Sequence, residues 1–446
     1  MKKILILILT CLLSSQGLIF SQQKVWSLEE CVKYAIDNNI QIKQQVIQTR
    51  VQKNSLDLSK FQLLPSLNGQ ASHSYSFGRA LDQNTYTFFN QTLMSDYFYL
   101  GGSMPIFNVL QNYFSIQKNK YQVMASEQDL KDISDNVALN VALVYLQVLL
   151  NKELVAANEN QLNITLQQIE KTRKLVDAGS VAKGNLLQIE AQAAQEELSL
   201  ITIKNQLETS ILTLTQFLEL KTPAGFEVAV PDINVDPNTV VTGNIDEIYT
   251  IAEKNRPEVK SSELKLTASE YGLKVARGGR SPVISLNYSL NSRYTYLSNV
   301  PGIQPFNTQL KNNKNSGVGL FINIPILNGW QVNKNISNSK LNVETSQYNL
   351  EGTKKQLYKS IQQAYTDAVA ALKKYNVSIK AIASTEESFR YTEQKFNVGM
   401  VTPVDYNAAK TQLLKSQSDM AQAKYEFIFK TKVLDFYKGL PLTLNK

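Results

Sequence analysis

The sequence predicts an α+β membrane protein built by internal duplication, and three observations support this prediction. Landmark residues recur in the same order about 220 residues apart. Each half contains two segments in which polar and apolar side chains alternate, as they do in β-strands. Each half also contains a stretch of about 68 residues without proline, long enough for a helix of roughly 100 Å.

The N-terminus has the features of a secretory signal peptide. Lys2 and Lys3 precede an apolar run from Ile4 to Leu13, and small residues follow, which predicts a signal over residues 1–22. The apolar run is far shorter than the ~20 residues of a membrane-spanning helix. Cys11 is a candidate for lipidation, but a threonine precedes it where a small residue is expected.

Composition and charge exclude several classes of function. The net charge of +8 falls to +6 without the two signal lysines, and no dense basic block is present, so no nucleic-acid partner is expected. His73 is the single histidine, which argues against histidine-based triads and metal clusters. No P-loop or Gly-rich nucleotide turn occurs. We therefore expect neither an enzyme nor a cofactor.

The two halves share their landmarks in order. Met104–Asn108 matches Ile324–Asn328, and the pair Ala178-Gly179 matches Val398-Gly399. Such ordered matches indicate a duplication rather than two unrelated domains. The predicted boundaries are a signal peptide over 1–22, a first repeat over 23–221, a linker over 222–244, a second repeat over 245–440 and a tail over 441–446.

Each repeat is predicted to begin with a helix. In the first repeat, Ser27 and Glu30 form the pattern of a capping box, and the helix is expected to run towards Ser59. In the second repeat, the helix is expected over residues 245–276. Pro257 should interrupt this second helix, because proline cannot donate the helical hydrogen bond.

Two strands follow in each repeat. Polar and apolar residues alternate over 67–77 and 284–291, and the second strands align Phe98–Met104 with Val318–Ile324. An antiparallel sheet with one face on a core would show the same alternation. However, no second sheet is evident to cover these strands. Four strands are also too few to close a membrane barrel, which needs at least eight, so a barrel would have to be shared between chains.

A long helix, a turn and a return helix complete each repeat. The return helices show heptad spacing, which predicts left-handed packing of helix on helix. Gly179 and Gly399 follow the last turns of the long helices, where glycine favours a sharp end. The heptad positions are Leu187, Ala191, Ala194, Leu198 and Ile201, then Leu207, Ile211, Leu214 and Leu218, in the first repeat, and Tyr406, Leu413, Met420, Phe427 and Leu434 in the second.

These landmarks resemble the TolC family of outer-membrane efflux channels, the outer membrane factors, from Leu28 to Leu440. The most specific segments are Phe396–Asp405 and its counterpart Val176–Val181, which the resemblance places at the periplasmic tips of two helical hairpins. The resemblance implies a homotrimer in outer-membrane lipid. Four strands from each chain would close a 12-stranded β-barrel, which a coiled-coil α-barrel would continue through the periplasm.

The resemblance also implies a passive channel of a tripartite efflux system, fed by an inner-membrane pump through a periplasmic adaptor (membrane fusion) protein. Two alternatives are a type I protein-secretion exit channel and, with less support, a periplasmic coiled-coil adaptor or scaffold. The residues expected to contact the adaptor are Ala178, Gly179, Ser180, Val181, Val398, Gly399, Met400, Val401 and Thr402.

Three further residues are expected to form a constriction of the lumen: Asp405, Asn185 and Phe396. Asp405 also lies in the first turn of a helix, where a carboxylate is favourable, and this structural role is an equal alternative. The family places Arg or Asp at the positions of Val401 and Asn185, and a gating Tyr occurs at that of Phe396. We therefore expect packing, more than salt bridges, to hold the closed state.

Overall fold

The computed structural model describes residues 24–81, 86–231, 235–236, 239–297 and 302–444. The predicted signal peptide over 1–22, including Cys11, lies outside the described residues. The chain forms two compact units, each of which takes segments from both halves of the duplication. The helical unit comprises residues up to 45, 130–256 and from 354 onwards, and the sheet unit comprises 46–129 and 257–353.

The described elements follow the predicted order, with additional short segments. In chain order they are β1 (Val25–Trp26), α1 (Leu28–Asn38), α2 (Ile40–Phe61), β2 (Asn68–Leu81), β3 (Phe88–Phe107), α3 (Val109–Asp177), α4 (Lys183–Phe217), β4 (Glu227–Val228), α5 (Ile245–Asn255), α6 (Pro257–Gly278), β5 (Val283–Leu297), α7 (Phe306–Asn312), β6 (Asn315–Asn323), α8 (Gln331–Asn397) and α9 (Pro403–Tyr437).

Both repeats begin with a broken helix. The predicted capping box is present, since the Ser27 hydroxyl accepts from the Glu30 amide and the Glu30 carboxylate accepts from the Ser27 amide. The predicted break at Pro257 is confirmed, because α5 ends at Asn255 and α6 begins at the proline. The uninterrupted helix expected towards Ser59 is wrong. Asn39 ends α1, and its side chain accepts from the Gln41 amide at 2.9 Å, a local bond that competes with the helix.

The sheet unit contains an open antiparallel sheet in the order β2-β3-β5-β6. Paired residues point to the same face, so the register places most apolar side chains of the four strands on one face, which also carries the pair His73 and Asp96. The other face is mostly polar but also carries Tyr97, Tyr99 and Phe321. The apolar face includes Ala71, Tyr75, Phe98, Leu100, Leu286, Leu290, Val318 and Leu320, and the polar face includes Gln70, Ser72, Ser95, Ser103, Asn287, Asn291 and Thr295.

The helices of the sheet unit follow the order of the strands to which they connect. Hydrogen bonds and ion pairs join α2 to α3, α3 to α6, and α6 to α8. Consequently α2 and α8 lie at the two edges, as β2 and β6 do. The contacts are Asn119 with the Ser55 carbonyl (3.2 Å), Lys265 with Asp129 (2.9 Å) and Ser262 with Thr353 (3.1 Å).

The helical unit has its own apolar core where α1, α3 and α4 meet. Cys31 and Ala35 of α1 are fully buried there, beside Val141 of α3 and Leu214 of α4. The Tyr145 hydroxyl donates to the backbone carbonyls of both β1 and the residue after β4. The short strands β1 and β4 pair in parallel, so the segment predicted as a linker contributes one strand.

Of the described helices, α3 contains a stretch apolar and long enough to cross a membrane. Half of that stretch is buried within the protein, which is also the property of a core helix. The buried residues of α3 include Val137, Val141, Tyr145 and Leu149, all of which belong to the core of the helical unit. Packing against α1 and α4 therefore accounts for this apolar stretch.

The heptad positions of α4 divide into a packed set and an exposed set. Leu214 and Leu218, near the end of the helix, are fully buried in the core, whereas Leu187, Leu198 and Ile201 are between 55% and 58% exposed. The buried face of α4 is instead formed by Leu186, Ile189, Ala193, Glu196 and Leu200. The exposed set thus faces away from the packed hairpin and leaves an apolar surface uncovered within one chain.

Candidate functional site at the hairpin tips

The first hairpin turns at Gly179. This residue has a φ of 72°, a left-handed conformation that strongly favours glycine. Its amide donates to the Val176 carbonyl at 2.9 Å, and the Ser180 amide donates to the Leu175 carbonyl at 2.8 Å. These two bonds form a Schellman motif, which satisfies the last carbonyls of α3 and ends the helix abruptly.

The second hairpin turns in the same way at Gly399, where φ is 78°. The Gly399 amide donates to the Phe396 carbonyl at 3.0 Å, and the Met400 amide donates to the Lys395 carbonyl at 2.8 Å. The two tips therefore share one backbone geometry. At the second tip, Val398 and Met400 are 70% and 73% exposed, so this turn presents apolar side chains to its surroundings.

The two return helices begin differently. Thr402 caps α9, since its hydroxyl accepts from the Asp405 amide at 3.2 Å and the Asp405 carboxylate accepts from the Thr402 amide at 3.3 Å. Ala182 precedes α4 and provides no side-chain cap. Asp405 is thus an exposed residue whose carboxylate completes a capping box, which is the structural role predicted for it.

The predicted constriction by Asp405, Asn185 and Phe396 requires three copies of the chain and stays a prediction; within one chain the described contacts of these residues are local. Phe396 stacks on Tyr406 of the same hairpin, with ring centroids 4.5 Å apart. Burial raises the pKa of Tyr406 to about 12, so this ring stays neutral. In the described part of the chain, no hydrogen bond or ring contact joins Asn185 to Phe396 or Asp405.

A direct bond does connect the two hairpins close to their tips. The Lys171 ammonium of α3 donates to the Asn397 side-chain carbonyl at the end of α8, at 3.1 Å. This contact is exposed to solvent. Exposed polar contacts contribute little to stability, typically about 1 kcal/mol or less.

A second connection between the hairpins is buried, and the sequence analysis missed it. Lys410 of α9 is 2% exposed, and its ammonium donates to the Gln161 carbonyl of α3 at 3.0 Å. It also donates to the Thr165 hydroxyl and lies 3.6 Å from the Glu196 carboxylate of α4. One lysine thus joins the return helix of the second hairpin to both helices of the first.

Glu196 is the acidic partner in this cluster and is 7% exposed. Its carboxylate accepts from Gln161 at 3.3 Å, from Gln192 at 3.0 Å and from the Thr165 hydroxyl. Buried charges are tolerated when they are paired and hydrogen-bonded, and this cluster meets both conditions. We call Gln161, Thr165, Glu196 and Lys410 the inter-hairpin cluster.

Burial affects the proton affinity of Lys410. Desolvation lowers the pKa of Lys410 below its ordinary value, and the neighbouring Glu196 carboxylate partly offsets this effect.

The sequence contained one signal for the inter-hairpin cluster. Tyr406, Leu413 and Met420 form a heptad stripe on α9, and Lys410 lies four residues after the first of them, so it lies on the same side of the helix. Packing and a salt bridge therefore act together between the hairpins.

The fold defines a class of protein before any comparison. The strands alternate mostly apolar and polar side chains, as the strands of outer-membrane β-barrels do. The same chain contains helices of 69 and 67 residues, so this type of sheet is combined with a long helical extension. The chain belongs to the outer membrane efflux protein family, whose model matches residues 32–218 and 248–429. It is an outer-membrane protein with a mostly helical α+β fold, in agreement with the resemblance noted from its motifs.

Known relatives are distant in sequence but similar in fold. The outer membrane protein TolC of Escherichia coli is 22% identical over 295 residues, which is 65% of this chain and 58% of that protein. The proteases secretion protein PrtF of Dickeya chrysanthemi is 19% identical over 94% of this chain and 89% of its own length. The crystal structure of CusC superimposes with a TM-score of 0.76 at 17% identity, covering 93% of this chain and 92% of CusC.

Proposed function

We propose that this chain is one protomer of a homotrimeric outer-membrane channel that exports small molecules. The observation that supports this most directly is the open sheet with one apolar face. Among the described residues, the edge strands β2 and β6 each have one side without a strand partner. Unpaired edges are unfavourable inside a membrane, where every backbone group needs a partner, so further copies must complete the sheet.

Exposed apolar residues at the edge helices support assembly with further copies. In the sheet unit, Leu58 of α2 and Leu341 and Tyr348 of α8 are between 57% and 62% exposed. In the helical unit, the exposed stripe of α4 carries Leu198 and Ile201 at heptad spacing. Apolar rows at heptad spacing pack against other helices, and neighbouring copies would provide them.

Three copies with four strands each would make the 12-stranded barrel that the resemblance implies. A polar interior and an apolar exterior follow from the two faces of the sheet. In this arrangement the repeats over 23–221 and 245–440, the linker over 222–244 and the tail over 441–446 form one structural unit shared with two other protomers. The helices would continue the barrel into the periplasm.

We propose that the tips receive a periplasmic adaptor, which connects the channel to an inner-membrane pump. The two identical Schellman turns and the exposed Val398 and Met400 support this role, because they present rigid, partly apolar ends. The contact surface would consist of Ala178, Gly179, Ser180, Val181, Val398, Gly399, Met400, Val401 and Thr402. The channel itself would be passive, since the pump supplies the energy.

Assembly can be tested at the edge of the sheet unit. Replacing Leu58 with Asp should prevent the trimer from forming, because each interface would bury an unpaired carboxylate. We expect loss of the heat-modifiable trimer band in detergent extracts of the outer membrane. Gln48→Glu is the matched control, since Gln48 is also exposed on α2, lies on a different side of the helix from Leu58, and the substitution adds the same charge. A wild-type chain that fractionates as a soluble monomer would contradict the proposed function.

Protein secretion is the second candidate function, and the name of PrtF supports it. The same channel could export small molecules or proteins, so the two functions must be distinguished by measuring which substrates are exported. In a strain lacking this chain, we expect a fluorescent cationic dye to be retained in cells while the proteins of the culture supernatant stay unchanged. The reverse pattern would replace small-molecule efflux with protein secretion.

The proposed constriction at Asp405 has its own test. Three copies of this exposed carboxylate near the closed end would favour cations, so Asp405→Asn should lower cation selectivity in planar-bilayer recordings. The substitution keeps a side-chain oxygen for the Thr402 cap, which limits structural effects. Asp419→Asn is the control, because Asp419 is exposed on the same helix farther from the tip. Equal cation selectivity in the two variants would contradict the constriction, and Asp405 would then have only its capping role.

A further inference from the structure

The apolar face of the sheet carries a groove beside helix α7. A cavity of about 520 Å³ is lined by Ala71, Phe98, Leu100 and Leu290 of the strands and by Leu310 of α7. A second cavity of about 350 Å³ shares Leu100 and Leu290 with the first and extends towards Leu67, Tyr288 and Val318. The two cavities therefore form one apolar groove along the face, which we call the α7 groove.

Helix α7 forms one wall of the groove and is held firmly by β5. The Gln309 side chain accepts from the Thr295 amide and donates to the Thr295 carbonyl, both at 3.0 Å. Because β6 pairs with β5 only as far as Asn291, these two bonds take the place of strand pairing at Thr295. The Phe306 ring packs against Tyr294 with centroids 5.0 Å apart. The wall is thus a fixed part of the sheet unit.

One end of the groove is basic. Lys314 lines the first cavity, and Lys311 lies one turn earlier at the end of α7. Within the described ranges, no carboxylate forms an ion pair with either lysine. The chain order places α7 between β5 and β6, at the end of the strands opposite α6 and α8. An apolar groove with cationic groups at one end fits an amphiphile with a negatively charged head.

We propose that the α7 groove binds an acyl chain of a phosphate-bearing lipid of the outer leaflet, with the phosphate at Lys314 and Lys311. This inference rests on the proposed function, which directs the apolar face towards the membrane and the α7 end towards the exterior. An acyl chain would cover Leu100 and Leu290, which are 44% and 36% exposed in the chain. Lysines near a membrane surface attract anionic head groups.

Native mass spectrometry of the purified full-length protein in mild detergent tests the proposal. Diphosphoryl lipid A is the probe, and phosphatidylcholine is the neutral comparison. We expect lipid A adducts on the wild-type trimer at concentrations where phosphatidylcholine gives none. Lys314→Glu should raise the half-saturating lipid A concentration roughly tenfold. Ala71→Trp should remove the adducts, because the indole fills the groove.

Lys340→Glu is the matched control, since Lys340 is exposed on α8 and the charge change is identical. Adducts that are equal in Lys314→Glu, Ala71→Trp and Lys340→Glu would overturn the lipid site. So would equal binding of phosphatidylcholine. Failure of the proposed trimeric channel is distinguishable, because the wild-type protein would then show no trimer in the same spectra. An intact trimer without selective lipid binding would reject the groove alone.

Discussion

Replacing Lys410 with Met is expected to destabilise the helical unit by about 3–5 kcal/mol, because the Glu196 carboxylate would stay buried without its ammonium partner. The bonds from Gln161 and Gln192 would persist, but neutral donors compensate a buried charge only in part. Differential scanning fluorimetry in detergent should show a lower unfolding midpoint. Lys415→Met is the control, since Lys415 is exposed on the same helix.

The double variant Lys410→Met with Glu196→Leu separates the charge pair from the packing. Removing both charges leaves no unpaired ion, and the Thr165 hydroxyl, which donates to Glu196 in the wild type, can donate instead to the Gln161 backbone carbonyl 3.2 Å away. We expect most of the lost stability to return, since apolar replacements of buried ion pairs are often neutral or stabilising. A single variant as stable as wild type would show that the cluster does not hold the hairpins together.

The pH dependence of the same variants has a defined sign. Burial lowers the pKa of Lys410 in the folded protein, so the unfolded chain binds this proton more tightly. The free energy of unfolding should therefore rise with pH between the lowered pKa and the ordinary value of 10.5. The contribution of Lys410 to the free energy of unfolding is lost as the pH falls through the pKa of Lys410 in the folded protein. The slope should be more positive in the wild type than in Lys410→Met, because both proteins keep the buried Tyr406, whose raised pKa acts in the opposite sense; equal slopes would contradict this assignment.

Replacing Gly179 and Gly399 with Val is expected to abolish export while trimers persist. Both residues have positive φ values, which cost an L-residue about 1–2 kcal/mol and a β-branched residue more. Within the part of the chain that the structure describes, no heavy atom lies within 4 Å of a Cβ added at either position, so the rest of the fold should remain intact. The strained turns would lose the geometry that we propose for adaptor contact. Dye retention in cells measures export, and the heat-modifiable band measures assembly.

Gly184→Val is the matched control for these variants. Gly184 lies in the first turn of α4, has no positive φ, and also has open space around an added Cβ. The same side chain is therefore added near the tip without strain in the turn, at the modest cost of valine within a helix. Export should continue in this control. Normal export in the Gly179 and Gly399 variants would remove the tips from the proposed mechanism.

Local patterns in the sequence determined much of this protein. The alternation in four segments predicted the two faces of the sheet, because side chains of a strand must point to opposite sides. Gly179 and Gly399 predicted the helix ends, and Pro257 predicted the break in the second repeat, since each depends on the backbone of that residue alone. The resemblance carried by Phe396–Asp405 predicted the family, which the comparisons confirm.

Only the tertiary structure decided which residues meet. Lys410 binds α3 residues nearly 250 positions away, and a lysine in a helix is normally solvated, so composition gave no reason to bury it. The heptad stripe of Leu187 and Leu198 has the spacing of a packed helix, yet the chain packs the adjacent face of α4. Spacing specifies that a helix has an apolar side, whereas the partner of that side depends on contacts between distant segments and, in our proposal, on further copies of the chain.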